Sequence, residues 1–138
     1  PAASPSPWEL WTLNFQVSMS VLTEVAPRIR ALKLETKEFF LLAALDEHAN
    51  PAELARALML PKPSVTFMVK RMEAAGYVRR ELQTDDLRRF RLTLTASGRR
   101  AMEKARAILD ETFGERLACL TGAQRAALAA LLRQLSNT

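Results

Sequence analysis

A chain of 138 residues with 49% apolar and 25% charged side chains has the size and composition of one globular domain, or of one domain with oligomerisation extensions. A formal charge of +5 and a pI near 10.0 point to a polyanionic partner, because net charge governs association rather than fold. The single cysteine, Cys119, excludes an internal disulfide and fits a reducing cytoplasm. No apolar run reaches the roughly 18 residues of a membrane helix.

The opening PAASPSPWEL has no basic stretch ahead of an apolar core, so it does not read as a signal peptide; its prolines mark a flexible arm over 1–7. From Trp8 to about Leu32 the pattern is helical. Trp8, Trp11, Phe15, Met19, Leu22 and Ile29 recur at spacings of three, four or seven and share one stripe. Pro27 lacks an amide donor and is expected to kink or end this helix. A second helix is expected from Thr36 to about Asp46, turning Phe39, Leu42, Ala43 and Leu45 inward. Asn50-Pro51-Ala52-Glu53 is a helix start, with an asparagine cap, a proline in the first turn and an acid at the third position. The short helix it opens ends at Leu58.

A turn carrying Pro61 and Pro63 leads to an amphipathic helix from about Ser64 to Ala75, stopped by Gly76. Strand-like runs over 77–82 and 89–94 follow, joined by a polar turn. Thr95 caps a long helix to about Leu120, with Met102, Ala105, Leu109, Phe113 and Leu117 at helical spacing. Thr121-Gly122-Ala123-Gln124 is a capping box that opens a last helix rich in Ala and Leu.

Helix, turn, helix and β-ribbon make a winged helix-turn-helix, an arrangement that lays its second helix in the DNA major groove. Between Pro61 and Arg100 ten basic residues face four acidic ones, so this stretch alone carries more positive charge than the whole chain. The expected fold is mostly α with a small β-wing. After the arm, a single domain spans 8–138, with dimerisation helices at 8–35 and 100–138 around a winged helix-turn-helix at 36–99. The terminal helices present apolar faces too long for a small winged core to cover. Two copies packed together bury them and present two recognition helices to a palindrome.

In the second helix of the pair, Val65, Met68, Val69 and Met72 lie at i, i+3, i+4 and i+7 and are expected to face the core. Lys62, Ser64, Thr66, Phe67, Lys70 and Arg71 are left for double-stranded DNA. The hydroxyls suit base edges or phosphates, the lysines suit phosphates or guanine, and an outward Phe67 suits a thymine methyl.

These residues resemble the MarR family of bacterial transcription regulators. The resemblance runs from Leu34 to Leu94 and rests on Glu53-Leu54-Ala55, on Arg71-Met72-Glu73-Ala74-Ala75-Gly76-Tyr77-Val78, and on Asp86-Leu87-Arg88 upstream of Leu94-Thr95-Ala96-Ser97-Gly98. It implies an obligate homodimer with interdigitated terminal helices, and repression relieved in many members by a small molecule. The wing motif assigns Arg88 to the minor groove or a phosphate and Asp86 to holding an arginine, with Arg89 and Arg91 able to reach the backbone. The family's effector pocket lies between the dimer helices and the winged domain, which makes Trp11, Phe15, Phe39 and Phe40 candidates to line it. Three positions depart from the family pattern. Pro61 replaces a small polar cap and is expected to delay the helix start. Phe67 replaces a residue that is often basic, and Asp85 one that is often arginine.

No cofactor or metal is expected, since the lone His48 has no histidine or cysteine cluster near it in the sequence. Members that sense peroxides carry a cysteine in the first helix, where this chain has none, so Cys119 reads as a small apolar residue. No phosphate loop or nucleophile–base motif is present, which argues against an enzyme. The alternatives are a winged-helix module for protein interaction, or a DNA-binding protein without an effector.

Overall fold

The computed structural model describes residues 3–82 and 90–137. Their elements run α1 (Pro7–Arg30), α2 (Thr36–Ala44), α3 (Pro51–Leu58), α4 (Lys62–Ala74), β1 (Val78–Leu82), β2 (Phe90–Leu94), α5 (Ala96–Leu117) and α6 (Gly122–Ser136). The fold is mostly helical with one two-stranded antiparallel sheet, as the sequence patterns indicate.

Most helix starts are where cap chemistry puts them. The side chains of Asn50, Thr95 and Thr121 each accept the backbone N–H three residues on, at 2.9, 3.0 and 3.1 Å. Ser6 does the same for Glu9, so α1 takes in Pro7, the last residue of the expected arm. Pro27 does not break α1; it sits in the final turn, and the helix continues to Arg30.

The core gathers Val21, Val25 and Ile29 of α1, Leu41 and Leu42 of α2, Leu54 of α3, the inner face of α4, Val78 and Leu92 of the sheet, and Met102 and Ala105 of α5. In α2 the inward set is Glu38, Phe39, Leu41, Leu42 and, just past its end, Leu45. Ala43, expected inside, is exposed. The buried arc follows positions 38, 41, 42 and 45, and residue 43 points away from it.

α1 and α5 run antiparallel. Arg28 bonds Glu111 at 3.2 Å, while Arg116 bonds Ser20 at 2.8 Å and Glu24 at 2.9 Å. Only the C-terminal half of α1 is buried. Toward its start, Trp8, Trp11 and Phe15 are 73%, 60% and 51% exposed. α6 buries none of its residues, and Leu131, Leu132 and Leu135 lie exposed along it.

Candidate nucleic-acid interface

The turn between α3 and α4 is built without glycine. Met59 adopts a left-handed conformation (φ 55°, ψ 42°), and the N–H of Leu60 closes back on Ala55 O at 3.1 Å. Pro61 was expected to delay the next helix, but it is itself the N-cap. Its carbonyl accepts from Ser64 (3.0 Å) and Val65 (3.2 Å), and the helix begins at Lys62. Pro63 falls in the first turn, where no intrahelical N–H is needed.

α4 divides as its spacing indicates. Val65, Met68, Val69 and Met72 are buried against the core. Lys62, Ser64, Phe67 and Lys70 are exposed, and Thr66 is half-buried with its hydroxyl donating to Lys62 O at 3.0 Å. Lys62, Pro63, Thr66, Phe67 and Lys70 enclose a shallow hollow of about 400 Å³ on this outer face. A second cleft, of about 330 Å³, lies between α4 and the wing and is walled by Asn50, Lys62, Thr66, Arg80 and Phe90 among others.

Arg71 is turned differently. Its Nη1 lies 3.1 Å from Oε2 of Glu38, whose side chain is almost fully buried, while Oε1 accepts from the Glu35 N–H at 2.8 Å. Oε2 has no aligned hydrogen bond, so the Arg71 contact is an ion pair set by charge rather than direction. Arg71 therefore ties α4 to α2.

The wing is anchored at its root. Gly76 takes φ 80°, a conformation that favours glycine, and its carbonyl accepts from the hydroxyls of Thr95 (2.6 Å) and Ser97 (3.0 Å). Gly98 packs so tightly on Tyr77 that a Cβ there would meet the Tyr77 carbonyl oxygen at 2.0 Å. Tyr77 Oη donates to Leu32 O at 3.0 Å, and the Leu92 N–H donates to Ala49 O at 2.8 Å. The register pairs Arg80 with Leu92 and Glu81 with Arg91. Strand alternation thus puts Val78, Arg80, Phe90 and Leu92 on one face, and Arg79, Glu81 and Arg91 on the other.

Two further ion pairs, like that of Arg71 with Glu38, were not read from the sequence. Arg80 Nε donates to Glu73 at the end of α4 (2.8 Å), and its guanidinium lies 4.5 Å from the Phe90 ring centroid, which joins the wing to α4. Arg99 at the start of α5 grips both oxygens of Asp46, at 3.3 and 3.0 Å. That bond and the charge of Asp46 raise the Arg99 pKa further, leaving it cationic throughout the physiological range. No local pattern marks either pair. The Arg80 pair spans a turn, and the Arg99 pair joins residues far apart in the chain.

Asp86, Arg88 and Arg89 lie outside the described residues, as does Asp85. Trp11, Phe15, Phe39 and Phe40 are not brought together within one chain. Trp11 and Phe15 are exposed on α1, Phe39 is in the core, and the half-buried Phe40 tilts against it with ring centroids 5.0 Å apart. Cys119 is exposed, with its thiol donating to Arg116 O at 3.3 Å. Among the described residues no group of three or more His, Cys, Asp or Glu could hold a metal, and no helix is long and apolar enough to cross a membrane.

The sequence model of the MarR family matches residues 32–89. The chain is 28% identical over 107 residues to the HTH-type transcriptional regulator SarZ of Staphylococcus haemolyticus, covering 76% of this chain and 73% of the relative. It is 28% identical over 127 residues to the HTH-type transcriptional repressor Rv2887 of Mycobacterium tuberculosis, covering 91% of each. The solved structure of Rv2887, a MarR family protein in complex with p-aminosalicylic acid, superposes with a TM-score of 0.74 over 96% of this chain and 99% of that one, at 28% identity. BpsR of Bordetella bronchiseptica, whose DNA binding is regulated by 6-hydroxynicotinic acid, shares the fold with a TM-score of 0.77 at 23% identity, over 100% of this chain and 99% of its own. Fold, family match and relatives agree in what the chain is similar to: the MarR family of winged helix-turn-helix transcriptional regulators, whose model matches residues 32–89.

Proposed function

We propose that the chain is a sequence-specific repressor that binds a palindromic operator as a homodimer and is released by a small planar aromatic or phenolic compound. The observation that carries the DNA reading is the division of α4. Its apolar face is buried, while Lys62, Ser64, Phe67 and Lys70 stand exposed beside Thr66. In this reading the two lysines take phosphates, and Ser64 and Thr66 take phosphates or base edges. Arg71 supports α4 from behind through Glu38. On the sequence grounds above, Arg88 and Arg89 add the wing's contacts and Asp86 holds an arginine.

The homodimer rests on the exposed apolar start of α1 and on α6, none of whose described residues is buried in its own chain. Obligate interfaces bury such faces. The repressor and effector assignments rest on the likeness to Rv2887, named a repressor and solved with p-aminosalicylic acid. Trp11 and Phe15 reach such a pocket only if a second chain closes over them. The burial of Phe39 in the core favours a second reading, a repressor that needs no effector.

A gel shift on the DNA upstream of the protein's own gene, repeated at several salt concentrations and with salicylate-like compounds, tests both readings. The proposal expects a specific shift that weakens steeply with salt and is reversed by the compound. Coupling of about 1–3 kcal/mol is enough, and DNA must weaken the compound's binding by the same factor. A specific shift that no such compound moves leaves the effector-free repressor, and no specific shift contradicts both.

A further inference from the structure

Phe67 is 64% exposed in the middle of the outer face of α4. Pro63 lies one turn before it on the same face, and Lys62, Thr66 and Lys70 complete the hollow the two rings share. Lysines on either side of an apolar floor repel a second copy of the same face and suit a polyanion.

In a major groove, a phenyl ring has one apolar partner among the base edges, the 5-methyl group of a pyrimidine. It has neither donor nor acceptor. Against the N7 and O6 atoms of guanine, or the amino group of adenine or cytosine, it strips water and replaces no hydrogen bond, which is a penalty rather than a contact. We infer that Phe67, backed by Pro63, is a specificity-determining residue that selects a 5-methylpyrimidine in each half-site, with Lys62 and Lys70 holding the flanking phosphates. This rests on the reading of α4 as the groove helix. The group recognised is the methyl itself, so thymine and 5-methylcytosine both supply it. The contact sets a preference that a basic side chain at this position would turn toward guanine.

The test begins with selection of the full chain on a random duplex pool. Each thymine of the selected site is then replaced in turn by deoxyuridine, which deletes only the methyl. At one thymine per half-site the unmodified protein should lose about three- to fivefold in affinity, the scale of one methyl withdrawn from an apolar contact. Placing cytosine there and then 5-methylcytosine should recover about the same factor, which shows that the methyl and not the rest of thymine is read. Phe67→Ala, a change at an exposed position, should bind the thymine and uracil duplexes equally. Specific binding in which no thymine-to-uracil change matters, or a difference that persists in Phe67→Ala, overturns the inference and leaves the regulator reading standing. Failure to enrich any sequence overturns both.

Discussion

Glu38 places a carboxylate in the core, where an ion without a partner is costly. Arg71 supplies the opposite charge from the edge of α4. Arg71→Ala should therefore destabilise the fold by about 1–3 kcal/mol, the scale of a buried charged acceptor left unsatisfied. Adding Glu38→Gln should recover part of that loss, because it removes the stranded charge and keeps the bond to the Glu35 N–H; urea denaturation of the single and double variants measures both. An additive double variant would show that the pair is not coupled. Gly98→Ala should cost on the order of 2–3 kcal/mol by driving the α5 start off Tyr77, again read by urea. Asn50→Ala should cost only about 1 kcal/mol, the value of a lost cap bond.

At the scale of elements, α1 and α5 are held by their apolar seam more than by the ion pairs across it. Ile29 is fully buried, so Ile29→Ala should cost about 2–5 kcal/mol. Arg116 pairs with Glu24 in solvent, so Arg116→Ala should cost less than about 1 kcal/mol. Thermal melts of the two variants should differ plainly, and equal shifts would contradict this ranking. What the sequence made legible divides along the same line. The i, i+3, i+4, i+7 spacing located the inner face of α4, and the side-chain caps of α3, α5 and α6 follow from local residues alone. Capping at Pro61 was not legible, because its carbonyl and not a side chain satisfies the first turn. The partners of Arg71, Arg80 and Arg99 were not legible either, since tertiary packing sets which acid each guanidinium meets. Ala43 was misplaced because alanine is nearly neutral to burial, and spacing from Phe39 alone did not fix the arc.

For the molecule as a whole, the exposed aromatic start of α1 and the unburied α6 make a second copy part of the proposed fold. Deleting residues 1–20 should give aggregation or unfolding, and a monodisperse folded monomer in sedimentation would contradict the dimer. The central claim is that this protein reads DNA sequence through α4 and the wing. The most direct measurement is fluorescence anisotropy of the full chain on its selected duplex and on a scrambled duplex of equal length and composition, across a salt series. The account predicts two chains per duplex and affinity at least about a thousandfold tighter for the selected sequence at physiological salt. Binding to both should weaken as salt rises. Equal affinity for the two duplexes would contradict it.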